Sequence, residues 1–255
     1  GMDVTDESLP LIQIIEDNLD VCSYLESILK QDYRLTFNHN GDSGLKNVLE
    51  TLPDFVITDV MMPGKDGFEV CREIKSNPIT DHIPVIMLTA KSDTQSKLEG
   101  LKLGADVYLE KPFDEKELTI RIAKLLEQRD ILSEKYRNPD FWENKEPKEI
   151  DEFVLKVQSL IEENIDNSNF GILELCRALG VSRSNLHRKL KALTGLSASI
   201  FMQTVRLQKA KQLLKTTKMN VSEVAYEVGF EDPAYFSRLF SKAFGHPPSE
   251  TRKNL

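Results

Sequence analysis

Over residues 11–126, five short aliphatic runs alternate with amphipathic stretches at helical spacing, and this alternation restricts the possible folds more than any other feature of the chain. The runs at 10–15, 34–37, 55–58, 84–88 and 107–109 are rich in β-branched and aliphatic residues, as strands require. Between and after them, apolar residues recur at intervals of three and four: Val21, Leu25, Ile28 and Leu29; Leu45, Val48 and Leu49; Phe68, Val70, Cys71 and Ile74; Leu98, Leu101 and Leu103; Leu118, Ile122, Leu125 and Leu126. Five successive βα units predict a doubly wound five-stranded parallel sheet with helices on both faces.

Such a sheet binds ligands beyond the carboxyl ends of its strands, near the point where strand order reverses. The chemically informative residues fall there. Glu16 and Asp17 end the first run, Asp59 the third and Thr89 the fourth, and Lys111 follows the fifth. Three carboxylates converging on one pocket repel one another unless a cation sits among them, and hard oxygen ligands suit Mg²⁺. A carboxylate beside Mg²⁺ can act as nucleophile towards an activated phosphoryl group, with metal and ammonium neutralising the equatorial oxygens. Asp59 is expected to attack and Lys111 to pair with the phosphate. A phosphatase of the haloacid-dehalogenase type also uses an aspartate nucleophile, but it needs a second acid two positions later, where this chain has Met61.

The Glu16-Asp17 pair, Asp59-Val60-Met61-Met62-Pro63-Gly64, Asp66-Gly67, Thr89-Ala90, Tyr108 and Lys111-Pro112-Phe113 together resemble the receiver domain of two-component response regulators. That resemblance spans about residues 9–130 and implies a flavodoxin-like fold. It also implies that Glu16, Asp17 and Asp59 bind Mg²⁺ with the Met61 carbonyl and that Asp59 is the phosphoacceptor. Thr89 and Tyr108 would be switch residues that reshape the face formed by the helix around Leu98–Leu103, the fifth strand and the helix after it. It further implies a cis bond at Lys111-Pro112 and phosphate supplied by a histidine kinase.

After Leu126 the texture changes, and charges, Asn138-Pro139 and Pro147 mark residues 128–151 as a linker whose start can extend a helix. From residue 152 no strand is expected. Instead Glu174-Leu175-Cys176-x3-Gly180 repeats as Glu223-Val224-Ala225-x3-Gly229. Leu186, Leu190 and Gly195 repeat as Phe236, Phe240 and Gly245 with one extra residue in the second turn. Each copy supplies what a helix-turn-helix needs: a small residue at the helix contact (Cys176, Ala225), a turn glycine (Gly180, Gly229) and an apolar anchor (Leu186, Phe236). A long helix over residues 198–215 would join the copies. The second helix of each copy is expected over about 182–194 and 233–244. In the first copy Leu186, Leu190 and Leu193 point inward while Arg183, Ser184, His187, Arg188 and Lys191 point outward. In the second Phe236, Phe240 and Ala243 point inward, and Ala234, Ser237, Arg238 and Ser241 outward.

The run Ala225-x3-Gly229-Phe230-x-Asp232-x2-Tyr235-Phe236-Ser237-Arg238-x-Phe240-x4-Gly245-x2-Pro248 resembles the AraC/XylS-type DNA-binding domain, over about residues 155–253. The resemblance implies that Ser184, His187 and Arg188 approach bases in one major groove and Ala234, Ser237 and Arg238 in the next. Net charge agrees with this division. Residues 1–132 carry 14 basic and 25 acidic groups, a net of −11, whereas residues 171–255 carry 14 and 6, a net of +8. The chain's overall −8 therefore hides a basic half suited to polyanionic phosphate. Lys209, Lys211 and Lys215 on the joining helix are expected to form a solvated face, and the Tyr235-Phe236 pair to pack in the core.

Cys22, Cys71 and Cys176 lie too far apart in sequence for a CxxC zinc or redox pair, which favours free thiols and a cytoplasmic setting. No run is long enough to span a bilayer, so this segment is expected to make no membrane contact. Gly1-Met2 reads as the remnant of a cleaved tag. The expected whole is an α/β receiver (9–127), a linker (128–151) and an all-helical double helix-turn-helix domain (152–255). It is read as a non-enzymatic transcriptional regulator that binds double-stranded DNA and pairs as a homodimer through the receiver when phosphorylated. The same domain order also resembles the C-terminal end of hybrid sensor kinases, and a phosphatase or a protein-binding helical module stands as the rival.

Overall fold

The computed structural model describes residues 9–90, 104–137, 141 and 150–251. Strands β1 (Leu11–Ile15), β2 (Arg34–Asn38), β3 (Phe55–Asp59), β4 (Val85–Ala90) and β5 (Val107–Lys111) form one parallel sheet in the order β2-β1-β3-β4-β5. Helices α1 (Leu19–Leu29), α2 (Gly41–Thr51), α3 (Gly67–Ser76) and α4 (Glu115–Arg137) alternate with them. The helix expected around Leu98, Leu101 and Leu103 lies outside the described residues. This is the flavodoxin-like doubly wound arrangement, with β1 and β3 adjacent where strand order reverses.

Two apolar layers sandwich the sheet. Ile12, Ile14, Ile57, Ile86 and Leu88 pack with Leu25, Leu29, Leu118 and Ile122 on one face. Ile15, Val56, Val85 and Met87 pack with Leu45, Val48, Val70, Cys71 and Ile74 on the other. Alternate residues of each strand serve opposite layers, which is why the strands read as continuous apolar runs rather than alternating ones. Each fully buried aliphatic side chain contributes roughly 1.5–3 kcal/mol. Leu49 departs from expectation: it is exposed, because Leu45 and Val48 already complete the inward stripe of α2.

Gly67 opens α3 directly behind the β3 carboxyl edge, after an Asp66–Glu69 capping box. A Cβ at Gly67 would lie 2.1 Å from the Asp59 carbonyl oxygen and 2.9 Å from the Val60 Cα. Backbone has to move to admit it. Gly67→Ala is therefore expected to lower unfolding free energy by about 1–3 kcal/mol, read from the midpoint of a urea titration.

By packing, the chain divides after Gln128 into two compact units. The second is all-helical among its described residues: the end of α4, then α5 (Glu152–Glu163), α6 (Ile172–Leu179), α7 (Arg183–Thr194), α8 (Ala198–Thr216), α9 (Val221–Glu227) and α10 (Pro233–Phe244), with a 3₁₀ turn at Pro248–Glu250. Within the expected linker, α4 continues unbroken to Arg137. Tyr136, Phe141 and Ile150 belong to the apolar cluster built by Val154, Val157, Ile161 and Leu186, and Tyr136 is fully buried. Its hydroxyl accepts the Asp151 amide at 3.2 Å. Scattered single apolar residues in a charged segment thus act as core of the second unit.

Candidate functional site

Asp59 is the last residue of β3 and Lys111 the last of β5, so strand termination itself delivers both side chains to the carboxyl edge of the sheet. Glu16 and Asp17 follow β1 directly, next to β3 at the reversal of strand order. The four side chains converge. Lys111 Nζ lies 2.7 Å from Glu16 Oε2 and 3.1 Å from Asp59 Oδ2. One carboxylate oxygen from each of Glu16, Asp17 and Asp59 falls within 4.8 Å of the others. Glu16 is fully buried and Asp59 nearly so, while Asp17 is exposed at the rim.

Burial pushes the Glu16 carboxyl above its ordinary range; the Lys111 hydrogen bond pulls it down and the Asp59 charge pushes it up again. Among the described residues, three carboxylates gather where one ammonium, that of Lys111, pairs with two of them. The cluster's donors are all hard oxygens from carboxylates, the set that a small divalent cation of the Mg²⁺ type takes. Asn18, which sequence reasoning passed over, completes the local framework. Its N–H donates to Glu16 Oε1 at 3.1 Å, and its side chain caps α1 by accepting from the Asp20 and Val21 amides. The sequence signal was an Asn one residue before an apolar-periodic stretch, a capping pattern.

Thr89, the penultimate residue of β4, is buried, and its hydroxyl donates to the Ala90 carbonyl at 3.3 Å. Strand register sets Thr89 beside Glu110 and Ala90 beside Lys111, so Thr89 and Lys111 share the same edge. Tyr108 is half-buried against the layer containing Val85 and Met87. The Met61 side chain is 74% exposed. The Lys111-Pro112 bond is cis, as the resemblance implied.

In the second unit, α6–α7 and α9–α10 form the two duplicated helix pairs. Cys176 and Ala225 are buried, Leu186 and Phe236 are fully buried, and Gly180 and Gly229 have φ of +67° and +78°. Ser182 Oγ caps α7 by accepting the Asn185 amide at 3.1 Å, and Asp232 caps α10 ahead of Pro233. On α7 the outward set is as expected: Arg183, Ser184, His187, Arg188 and Lys191 are all exposed. No acidic residue stands in the first turn of α7.

On α10 the expectation needs correction. Ala243 is exposed, and Phe244 packs with Phe236 and Phe240 instead, with the Phe240 and Phe244 rings 4.5 Å apart. The inward stripe runs i, i+4, i+8 rather than i, i+4, i+7. Ser237 and Ser241 are only half-exposed, and their hydroxyls donate back to the carbonyls of Pro233 and Ser237, both at 2.8 Å. Ala234 and Arg238 are exposed. Tyr235, expected in the core with Phe236, is 45% exposed, its ring 6.4 Å from Phe230 and 5.9 Å from the Arg238 guanidinium. Lys215 is exposed, but Lys209 and Lys211 are only partly so, and the Lys211 ammonium sits 4.8 Å over the Phe244 ring. The three cysteines are free and buried, and among the described residues no helix is long and apolar enough to cross a membrane.

Comparison with known proteins separates the same two regions. Residues 12–123 match the family described as response regulator receiver domain, and residues 175–254 match that described as helix-turn-helix domain. Histidine kinase P4 of Formosa agariphila is 40% identical over 250 residues, which is 97% of this chain and 18% of that protein. Transcriptional regulatory protein AfsQ1 of Streptomyces coelicolor is 41% identical over 119 residues, 46% of this chain and 52% of that one. The chain thus spans under a fifth of the kinase and about half of the regulator. Among solved structures, a response regulator receiver domain protein of Clostridium thermocellum is 31% identical, with a TM-score of 0.46 over 49% of this chain and 99% of that one.

Proposed function

Because residues 12–123 belong to the response regulator receiver family and residues 175–254 to the AraC-type helix-turn-helix family, we propose that the chain is a phosphorylation-controlled transcriptional regulator of a two-component system. The observation that carries this reading is the Lys111 ammonium bridging Glu16 and Asp59 at the carboxyl edge of the sheet. Asp59 is the phosphoacceptor. Its carboxylate oxygen attacks the phosphorus of a kinase phosphohistidine, the O–P bond forms, the P–N bond breaks, and its electron pair goes to the imidazole nitrogen, which takes a proton from water and leaves as neutral imidazole. Lys111 exchanges its carboxylate partners for a phosphoryl oxygen. Thr89 donates its hydroxyl to another, and Tyr108 follows inward.

Glu16, Asp17, Asp59 and the Met61 carbonyl are the proposed Mg²⁺ ligands, and the three carboxylates fit that ion in donor type and proximity. Bound there, Mg²⁺ supplies positive charge to the phosphoryl oxygens. The proposed domains are a receiver at 9–127, a joining segment at 128–151 and a DNA-binding domain at 152–255. Arg183, Ser184, His187, Arg188 and Lys191 on α7, with Ala234, Ser237 and Arg238 on α10, form the proposed DNA face. Because the Ser237 hydroxyl already donates to Pro233, the second helix contributes chiefly through Arg238. Phosphorylation is proposed to favour homodimers through the receiver and so to link two readers. The chain works in the cytoplasm. Coverage of 97% of this chain by a histidine kinase supports a second arrangement, in which both domains are fused to the kinase that phosphorylates them.

Binding to a DNA duplex selected from a random library tests the output half. Affinity is expected to fall by at least about tenfold between 50 and 200 mM salt, as phosphate contacts release counterions. A helical unit that binds no duplex at any salt concentration rules out the DNA reading.

A further inference from the structure

The two helix pairs of the second unit do not share one core. The first is built by Val154, Val157, Ile161, Leu175, Leu186 and Leu190, and it extends along α8 through Phe201, Met202 and Val205. The second begins at the next apolar position of α8, Leu207, and continues through Ala210, Leu214, Val224, Phe236 and Phe240. Between Val205 and Leu207 stands Arg206, only 9% exposed. Among the described residues it pairs with no carboxylate. Its guanidinium instead donates to three backbone carbonyls: Nη1 to Gly229 at 2.9 Å, and Nη2 to Asn167 at 3.0 Å and Phe170 at 3.1 Å.

Those acceptors come from two segments far apart in sequence. Gly229 is the turn of the second helix pair, whereas Asn167 and Phe170 lie in the loop that leads into α6, the first helix of the first pair. The glycines confirm how close this approach is. A Cβ at Gly229 would lie 2.9 Å from the Arg206 Cζ and 2.7 Å from the Ile165 carbonyl oxygen, while the equivalent Gly180 has nothing within 4 Å. The duplication is therefore asymmetric: both turns need positive φ, but only the second is seated against a buried guanidinium.

We propose that Arg206 is a positioning residue that sets the spacing of the two recognition helices, and thereby the spacing of the DNA segments they read. The proposal rests on the reading of this unit as a DNA reader. A planar fork with several donors can hold carbonyls from two directions at once, which a lysine ammonium on a flexible stem does less well. Arg206→Met keeps the stem and its packing but removes every donor. It frees α10 to shift against α7 while each apolar core stays closed.

The test uses the whole chain and a duplex selected by the wild type from random DNA. For the wild type, inserting one base pair between the two contacted segments is expected to weaken binding about 30-fold, because the second reader is rotated out of register. For Arg206→Met the selected duplex binds more weakly and the insertion costs threefold or less, with Arg206→Lys between. A second readout needs no DNA: nitroxides at Lys191→Cys and Lys242→Cys give one narrow distance distribution in the wild type and a broadened or shifted one in Arg206→Met. A cooperatively folded Arg206→Met that retains the wild-type insertion ratio and the narrow distribution overturns the proposal. If Arg206→Met does not fold, Arg206→Lys decides by the same two criteria. If the wild type selects no duplex, the DNA reading fails, and the distance distributions still decide whether Arg206 positions the helices.

Discussion

Asp59→Asn is expected to reduce phosphate incorporation from acetyl phosphate at least about 100-fold, because the amide oxygen is a far poorer nucleophile than a carboxylate. The measurement is acid-labile, hydroxylamine-sensitive phosphate per chain in the presence of Mg²⁺. The variant should stay folded, since the substitution removes one of three mutually repelling carboxylates while preserving shape. Chelating Mg²⁺ from the wild type should produce a comparable loss. Lys111→Met should also impair transfer, because its ammonium pairs with Asp59 Oδ2 at 3.1 Å. Wild-type incorporation by Asp59→Asn would move the acceptor elsewhere and remove the basis for the proposed site.

The second large effect falls on α7. Arg183→Ala combined with Arg188→Ala should weaken binding to the selected duplex about 100-fold or more, since an Arg reading a guanine edge is worth roughly 1–3 kcal/mol and each lost phosphate contact lowers salt dependence. Both side chains are exposed and sit outside the Leu186–Leu190–Leu193 stripe, so melting should be unchanged. Lys215→Ala on α8 is the control for removing an exposed basic side chain away from α7, with an expected change under threefold. Equal losses from Lys215→Ala and from the α7 pair would indicate diffuse electrostatics without a reader helix.

The receiver was legible in sequence because its constraints are local and ordered. Strands buried on both faces read as unbroken apolar runs, and each carries at or next to its carboxyl end the residue that its position at the sheet edge demands: Asp59, Thr89 and Lys111. The duplicated glycines located both turns for the same reason, since their φ values leave few alternatives. Illegible features depended on contacts distant in sequence. Tyr136 and Ile150 stand among charges, and nothing local marks them as core. Ala243 and Phe244 are neighbouring apolar residues on one helix, and the cluster that Leu207, Leu214 and Val224 build with Phe240 decides which points inward. Nothing local in the sequence marks Lys189 or Arg206 as buried, yet Lys189 is fully buried with its ammonium 4.5 Å over the Phe153 ring, and Arg206 holds three carbonyls. Long basic side chains carry enough apolar stem to be buried wherever their head finds partners, and sequence does not reveal those partners.

If chemistry at Asp59 controls DNA binding by the helical unit, the selected duplex titrated with wild type and Asp59→Asn, each with and without acetyl phosphate and Mg²⁺, will distinguish the two proteins. The phosphodonor is expected to raise wild-type affinity by about tenfold or more, as linked readers would, and to leave Asp59→Asn unchanged. Equal affinity in all four titrations, or an equal rise in both proteins, would contradict control through Asp59.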